Sequence, residues 1–414
     1  MKILMLGWEL PPHNSGGLGV ACYQLCKHLA AQGVEIDFVV PYTANHQGTE
    51  FMEVLGATSY SAELMQELLG GAYESARLTT YRSEFEDAAE LPGSLREQQQ
   101  RYIGYVRKLT SERHYDLIHA HDWLTYEAAQ VAKHQLGVPL IAHVHATEFD
   151  RAGGLDGNSL VHEIEYTSFL LADRIIAVSQ ATKNIIIKHY QIPAEKIEVV
   201  HNSIDPSDFQ DIPTEPSYAY IAHMKAKGYT VIASVGRLTI QKGLGFLLEA
   251  AKLAMDYNPK LLVVIAGNGE QYHGLIEAAA ELGIADRVLF TGFVRGAPWR
   301  DVFALADIFV MPSVSEPFGL VALEAAGYGN AVVISRQSGV GEVLSHVLRF
   351  DFWDTQRLAN QIVALSESGP LKAELLEHCR KEFQGLSWHR VAKQCLELYQ
   401  RHQPEITASG KVAV

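Results

Sequence analysis

The feature that most constrains this chain is an alternation of short apolar runs with segments of helical periodicity, which occurs twice along its length. The first series opens with the apolar run 2–6, a Gly-rich loop, and apolar residues at helical spacing that stop at Gly33. Such alternation is typical of α/β folds in which the strands are mostly parallel. The remaining strand candidates of this series are 34–41, 117–120, 140–144, 174–178 and 197–200.

A chain of 414 residues is too long for one ordinary core. The pattern lapses into a polar, proline-containing segment between 201 and 229, and a fresh series of strand candidates begins after it. We therefore predict two doubly wound domains, 1–208 and 209–386, followed by a C-terminal helix and tail, 387–414. The strand candidates of the second series are 231–235, 261–266, 288–291, 308–311 and 331–334.

Composition narrows the classes of function. The formal net charge of −14 argues against nucleic-acid binding, because a surface that tracks phosphates needs an excess of Lys and Arg. No run approaches the roughly 18 apolar residues that span a bilayer, so we expect a cytoplasmic protein without an integral membrane segment. The basic residues within 96–101 and 105–113 are interpreted as a solvated helix face, with membrane-surface contact as the alternative. The cysteines are interpreted as reduced core residues: Cys22, Cys26, Cys379 and Cys395.

A Gly-rich turn follows the first strand, over residues 14–19. The backbone N–H groups of Gly16 and Gly17, together with the start of a helix, suit an anion even without a basic side chain. A tight strand-to-helix connection without a ligand would have the same composition. The motif is therefore a candidate phosphate contact that needs support from elsewhere in the chain.

Two basic residues follow the first predicted strand of the second series, within the segment 236–243. Arg237 offers a forked donor and Lys242 a point charge, just before a helix begins. Such a pair suits a pyrophosphate whose negative charge grows as it departs. The alternative is a pair of solvated loop charges.

Two carboxylates frame the segment 315–325. Glu316 ends the loop after a predicted strand, and Glu324 lies about one and a half turns into the following helix, so both can face the carboxyl edge of the sheet. One can bind sugar hydroxyls and the other a ribose diol. The N–H groups expected at the start of this helix are those of Phe318, Gly319 and Leu320. The alternative is a capping residue followed by a solvated helix residue.

A competing motif, Gly267-Asn268-Gly269, follows a strand and is similar to the start of a dinucleotide fingerprint. Tyr272 occupies the position of the third glycine, and Asp286 precedes the next strand rather than ending it. We therefore reject a nicotinamide-dependent enzyme.

The segments SVGRLTIQKG and SEPFGLVALEA, about 80 residues apart, resemble the retaining glycosyltransferases of family four, the group 1 glycosyl transferases. The resemblance implies the GT-B fold: two facing Rossmann-like domains, the donor bound mainly by the second and the acceptor by the first. It also implies that no metal or other cofactor is needed, and that the last helix crosses back onto the first domain.

The N-terminal half is similar to bacterial glycogen and starch synthases in its WEL…GGLG opening and in the segment 119–123. The likeness has one gap, because those synthases carry a Lys-Thr pair where this chain has Asn14 and Ser15. The resemblance places a set of residues near the acceptor: Glu9, His121, Asp122 and Trp123.

His145, just past a predicted strand, matches the active-site histidine of the family. The resemblance implies that it contacts the transferred sugar. His143 is two residues earlier, on the same face of an extended strand, and is the rival for this role.

The expected reaction transfers a hexose, with glucose the expected sugar, from a donor such as UDP-glucose or ADP-glucose to a carbohydrate acceptor such as an α-glucan. His145 and Glu316 would orient the sugar, and Glu324 the ribose. Retention is expected from front-side departure and attack, although Asp122 is a candidate base for inversion. The alternatives are a mannosyl- or galactosyltransferase acting on a lipid-linked or small acceptor, and a sugar-nucleotide-binding module without turnover.

Overall fold

The computed structural model describes residues 1–14, 16–58, 94–154, 157–209 and 217–402. The chain forms two compact units. The first combines Met1–Asn202 with Trp388–Val414, and the second is Ser203–Ser387. Each unit has its own parallel sheet.

The first unit ends at Asn202, before the boundary placed at 208 from the sequence. The reason is the ring of Phe209, which packs edge-on against Tyr328 and Phe383 of the second unit. The segment 203–209, which includes Pro206, therefore already belongs to the second unit.

The strands of the first unit alternate with helices, as the sequence pattern predicts. The elements are β1 (Lys2–Leu6), α1 (Gly17–Ala30), β2 (Glu35–Val40), β3 (Glu53–Gly56), α2 (Leu95–Glu112), β4 (Leu117–His121), α3 (Trp123–Leu136), β5 (Leu140–Val144), α4 (Glu148–Arg151), α5 (Ser159–Leu171), β6 (Arg174–Ala177), α6 (Gln180–Tyr190) and β7 (Ile197–Val199).

The second unit repeats this alternation, and one further helix ends the described chain. The elements are α7 (Ala219–Ala226), β8 (Thr230–Val235), α8 (Leu244–Tyr257), β9 (Leu261–Ala266), α9 (Tyr272–Glu281), β10 (Val288–Gly292), α10 (Ala297–Leu305), β11 (Ile308–Met311), α11 (Leu320–Gly327), β12 (Ala331–Ser335), β13 (Leu348–Phe350), α12 (Thr355–Glu367), α13 (Gly369–Gln384) and α14 (Trp388–His402).

The first sheet has seven parallel strands in the order β3-β2-β1-β4-β5-β6-β7. Strand order reverses between β1 and β4, which is where ligands bind in doubly wound sheets. The sequence pattern missed β3, because this four-residue strand is only half-buried and has no continuous apolar run. The predicted α/β class with parallel pairing is confirmed.

The last helix, α14, belongs to the first unit. It packs against α1, and the side-chain amide of Gln32 donates to the carbonyl of His389 over 3.2 Å. The buried residues of α14 recur at helical spacing: Trp388, Val391, Ala392, Cys395, Leu398 and Tyr399. This placement confirms the prediction that the chain returns to its first domain.

The second sheet has six parallel strands in the order β10-β9-β8-β11-β12-β13, and reverses between β8 and β11. Its core is almost wholly aliphatic, with Val263, Ile265 and Val310 fully buried between helices. The pattern missed β13, which is three residues long. Within the described ranges, no helix combines the length and the apolar character needed to cross a bilayer.

The glycines of the 267–269 loop pack closely against the backbone of the loop that follows β8. A Cβ atom at Gly267 would lie 1.8 Å from the carbonyl oxygen of Gly236, and one at Gly269 would lie 2.5 Å from that of Leu238. The N–H of Leu238 donates to the carbonyl of Asn268 over 2.9 Å. The glycines thus allow two backbones to approach closely, and thereby fix the segment that carries Arg237.

We expect Gly267→Ala to destabilise the second unit by roughly 2–4 kcal/mol, because the new methyl group would overlap Gly236 and the backbone φ is unfavourable for alanine. The φ of Gly267 is +144°. Gly274→Ala is the matched control, since a Cβ there meets nothing within 4 Å and the residue lies in α9. Urea unfolding should show this control unchanged or stabilised by roughly 0.5–1 kcal/mol. Equal midpoints for the two variants would contradict the packing argument.

Candidate active site

The loops that follow β8 and β11 are joined at the point where the second sheet reverses. The N–H of Val314 donates to the carbonyl of Gln241 over 2.8 Å, and the Gln241 side chain donates to Ser315 over 3.0 Å. Gly243 has φ +63°, and a Cβ there would lie 2.2 Å from the carbonyl oxygen of Pro312. Only glycine allows this approach, which brings Lys242 beside the β11 loop.

Lys242 and Glu316 form an ion pair. The Lys242 Nζ lies 2.6 Å from Glu316 Oε2, and the hydroxyl of Ser313 donates to the same oxygen over 3.0 Å. The side chains are 21% and 9% exposed, so both remain partly open to a ligand. The sequence predicts that Lys242 binds a phosphate and that Glu316 binds a sugar. In the structure the two side chains are bonded to each other. Half-buried Arg237 lines the same concavity.

Glu316 is also held through its backbone. Its N–H donates to the carbonyl of Gln337 over 3.0 Å, and its carbonyl accepts from Gly339 over 2.9 Å. The carbonyl of Phe318 accepts from Val340 over 2.7 Å, while the Phe318 ring is buried. Sequence reasoning missed the 337–340 loop and Ser313. Their only signal is their position after β12 and β11, at the carboxyl edge of the sheet.

Gly319 is the N-cap of α11, and Leu320 is the first residue of the helix. The φ of Gly319 is +106°, and a Cβ atom there would lie 2.7 Å from Met311 Cε. Glycine therefore lets the helix start directly above β11. The N–H groups of this first turn lie at the edge that carries Glu316.

Glu324 has surroundings unlike those of Glu316. Its Oε2 accepts a hydrogen bond from the indole N–H of Trp299 over 2.9 Å. Burial raises the pKa of Glu324 to about 7, and the Trp299 donor only partly opposes this rise. At neutral pH this carboxyl is therefore partly protonated. Trp299, on α10, was not found from the sequence.

In the first unit, Glu9 builds the Gly-rich turn. Its Oε1 accepts a hydrogen bond from the N–H of Gly19 over 3.0 Å. The sequence places Glu9 near the acceptor substrate, but the residue is only 1% exposed. The Asn14 amide donates to the carbonyl of Gly16 over 2.9 Å. Gly16 and Gly17 are exposed at the start of α1. Ser15 lies outside the described residues.

Buried histidines occupy the carboxyl ends of β4 and β5. His119 Nε2 lies 3.1 Å from His143 Nδ1, and His121 Nδ1 lies 2.9 Å from His145 Nε2. Tyr399 of α14 lies 2.5 Å from His119 Nδ1 through its hydroxyl. Loss of water on burial lowers the pKa of His119 and that of His145 to about 3. The rings are therefore neutral.

Asp122 holds the backbone beside this cluster. Its Oδ1 accepts from the N–H groups of His145 and Ala146, over 2.7 and 3.3 Å. The residue has φ 58° and ψ 169°, a conformation that costs a non-glycine residue roughly 1–3 kcal/mol. The structure thus turns Asp122 onto the backbone, while Trp123 begins α3 with 8% exposure.

A buried ion network supports the same loop and was missed from the sequence. Arg151 donates to the carbonyl of Ala146 over 3.1 Å and pairs with Glu148 over 3.0 Å. It also pairs with Glu165, which accepts from the hydroxyl of Tyr190. Glu148 and Glu165 lie on consecutive helices, α4 and α5, so no short sequence motif indicates this network.

Two groups of side chains in the described part of the chain could hold a metal ion. They are Cys22, His121 and His145, and His119, His121 and His143, with candidate ligand atoms within 4.8 Å of one another. The histidine nitrogens already bond to one another in pairs. That no metal is required stays a prediction.

Comparison with known proteins agrees with this architecture. Residues 221–382 match the model for "Glycosyl transferases group 1", and residues 15–208 match that for "Glycosyltransferase Family 4". An uncharacterised glycosyltransferase of Methanocaldococcus jannaschii is 30% identical over 410 residues, covering 96% of this chain and 98% of the relative. The chain therefore belongs to the glycosyltransferase family that these two models describe, and it is a transferase.

Two further relatives differ in their named reactions. A glycogen synthase of Mycobacterium tuberculosis is 29% identical over 364 residues, covering 83% of this chain and 80% of the relative. A D-inositol 3-phosphate glycosyltransferase of Salinispora tropica is 28% identical over 411 residues, covering 93% and 81%.

Solved structures place the fold in the GT-B class. Sucrose-phosphate synthase of Thermosynechococcus elongatus superposes with a TM-score of 0.74 at 19% identity, covering 97% of this chain and 98% of that one. Anabaena HepE, in complex with UDP and glucose, has a TM-score of 0.72 at 20% identity, covering 97% and 100%. The predicted fold class is confirmed.

We expect Asp122→Asn to make the slope of the free energy of unfolding against pH more positive between about pH 4 and about pH 7. Burial raises the pKa of Asp122 to about 7, so the folded chain keeps a proton that the unfolded chain has lost. The contribution of Asp122 to the free energy of unfolding therefore falls as pH rises through this window, by at most about 1.4 kcal/mol per pH unit. This contribution opposes that of His119 and His145, whose lowered pKa values make stability rise with pH over the same window.

Urea unfolding at about pH 4.5 and about pH 6.5 measures the difference. Asp286→Asn is the control, because its side chain is 79% exposed. If Asp122→Asn and the wild type show the same slope, the Asp122 carboxyl is ionised in the folded protein throughout.

Proposed function

We propose that this protein is a retaining hexosyltransferase that uses UDP-glucose or ADP-glucose as donor and an α-glucan as acceptor. The family and the fold define a glycosyltransferase. The donor, the acceptor and the stereochemistry are the proposal.

The observation that carries it is the Lys242–Glu316 pair, held at 2.6 Å where the second sheet reverses. A diphosphate in the adjoining concavity would meet Lys242 and Arg237, and its charge would increase as the sugar leaves. Glu316, released in part from Lys242, would then accept hydrogen bonds from sugar hydroxyls. One ion pair thus serves the leaving group and the transferred sugar together.

Retention is supported by the bonds of the acidic side chains. A double displacement needs a free carboxylate as nucleophile, and an inverting transfer needs a carboxylate or a histidine as base. Glu316 is bonded to Lys242 and Ser313, and Asp122 to the backbone of residues 145 and 146. Neither is disposed to attack carbon or to deprotonate an acceptor. A front-side reaction, in which the departing phosphate takes the proton, needs neither.

His145 would then bind the transferred sugar, and the exposed N–H groups of Gly16 and Gly17 would bind the phosphates. The names of two similar proteins support a glucosyl donor, since HepE is described in complex with UDP and glucose, and one relative is a glycogen synthase.

A second acceptor class is favoured by one observation. Glycogen and starch synthases carry a Lys-Thr pair before the two glycines, and here Asn14 takes part in the turn by bonding the carbonyl of Gly16. Several relatives are named D-inositol 3-phosphate glycosyltransferases. A small phosphorylated polyol is therefore the alternative acceptor.

The experiment offers α-linked UDP- and ADP-hexoses with either maltooligosaccharides or inositol 3-phosphate, and reads the anomer of the first product by proton NMR. We expect an α-linked product from the glucosyl donor. Lys242→Ala should lower turnover roughly 10- to 1000-fold, because the leaving diphosphate loses a cation. Lys252→Ala, an exposed lysine paired with Asp256, is the control. A β-linked product would refute retention, and full turnover in Lys242→Ala would refute the phosphate assignment.

We expect UDP or ADP to bind more weakly as pH falls from about 8 to about 6, through the Glu324 carboxyl. Its pKa is raised to about 7 by burial, so at lower pH a proton occupies the oxygen that should accept from the ribose diol. Glu324→Gln should bind more weakly at pH 8 and lose this pH dependence. Calorimetry on both proteins cancels the titration of the nucleotide phosphate, because it is common to both. An equal pH dependence in the two proteins would remove Glu324 from the ribose.

A further inference from the structure

The hydrogen bonds from β1 to the loop after β5 have a defined direction. Met5 Sδ lies 3.1 Å from His121 Nε2, and His121 Nδ1 lies 2.9 Å from His145 Nε2. Met5 and His121 are on the neighbouring strands β1 and β4, and His145 follows β5, which pairs with β4. Three separate segments therefore share one chain of contacts.

The thioether of Met5 fixes that direction, because sulfur in methionine has no hydrogen to donate. A bare His121 Nε2 at 3.1 Å would face the sulfur lone pairs with its own, so Nε2 carries the hydrogen. A neutral imidazole has only one N–H, and His121 Nδ1 is consequently an acceptor.

The same argument extends to His145. Because His121 Nδ1 is an acceptor, the hydrogen in the 2.9 Å contact is on His145 Nε2, which donates to it. His145 Nδ1 is then bare. Burial lowers the pKa of both rings, so neither gains a second hydrogen at neutral pH.

The bare nitrogen is available to a ligand. His145 is half-buried, and its Nδ1 has no hydrogen-bond partner among the described residues. The ring is fixed on one face by His143, stacked at 4.2 Å with an interplanar angle of 25°. Its backbone N–H is fixed by Asp122. The ring therefore presents a single atom in a set direction.

We propose that Met5 and His121 are positioning residues that lock His145 in one tautomer, so that His145 offers Nδ1 as an acceptor to a hydroxyl of the transferred sugar. The proposal rests on the proposed function for the identity of the ligand. The site would select a sugar that carries a hydroxyl at this position, because fluorine in its place cannot donate. His145 acts as a neutral acceptor and not as a cation.

The tautomer is measured directly in protein labelled with ¹⁵N-histidine, by long-range proton–nitrogen correlation, with His145→Gln to assign the ring. We expect His121 and His145 both to be protonated at Nε2. Met5→Leu keeps the side-chain volume and removes the sulfur acceptor, so His121 can then donate from Nδ1 instead. We expect His145 in this variant to show a mixture of tautomers. Met255→Leu, a buried methionine of the second unit, is the control.

The second measurement compares donor sugars in which each hydroxyl in turn is replaced by fluorine. At one position we expect the wild type to discriminate against fluorine more strongly than Met5→Leu, with kcat/KM ratios that differ roughly 5- to 100-fold. Comparing two enzymes cancels the effect of fluorine on the intrinsic reactivity of the sugar. Met255→Leu should discriminate as the wild type does.

His145 protonated at Nδ1 in the wild type would overturn the proposal, and this result needs no variant to fold. A stoichiometric metal ion lost in His121→Asn would also overturn it, since the ring nitrogens would then bind the ion. The expected tautomer without any sugar transfer would refute the proposed function and leave the tautomer assignment standing. Equal discrimination by wild type and Met5→Leu would refute the link between tautomer and sugar.

Discussion

The ion pair between Lys242 and Glu316 is the interaction on which the second unit's site depends. It joins loops that follow two neighbouring strands, and its geometry requires glycine at 243. The glycines at 267 and 269 fix the neighbouring segment that carries Arg237. A partly exposed pair of this kind contributes little to stability, because removing both charges from water offsets most of their attraction. Its value lies in position. Each partner keeps the other in place at the carboxyl edge of the second sheet.

In the first unit, neutral side chains rather than an ion pair are held in place at the carboxyl edge of the sheet. Its carboxyl edge carries histidines that burial keeps uncharged, and their orientation comes from hydrogen bonds with a fixed direction. Asp122 has a strained backbone conformation, and its side chain accepts a hydrogen bond from the N–H of His145. Arg151 donates to the carbonyl of Ala146 and also pairs with buried carboxylates. Strain of this kind persists only where surrounding contacts over-determine the conformation, which is common at functional sites. The His145 loop is thus held from three sides.

Much of the fold could be predicted from sequence because parallel strands buried on both faces are continuous apolar runs. β3 and β13 escaped because each is short and partly exposed. The carboxyl-edge positions of Glu316 and Arg237 also followed from pattern, since a residue directly after such a strand has little freedom in placement. The structure divides the chain after Asn202, whereas the sequence pattern placed a boundary at 208, because the ring of Phe209 packs within the second unit. Trp299, Ser313 and Arg151 carried no local signal.

By itself, the sequence determined two α/β units, their strand order of appearance, and the residue types available at each carboxyl edge. Tertiary structure alone decided which of those groups meet. Lys242 and Glu316 are 74 positions apart, and His121 and Met5 are 116 apart. Spacing along the chain specifies periodicity, which is a local property of the backbone, whereas the charge state of a carboxyl or the tautomer of a histidine depends on atoms brought together by strand pairing and helix packing. Glu324 titrates near neutrality because it is buried, and His145 is an acceptor because the sulfur of Met5, four strands earlier along the chain, cannot donate.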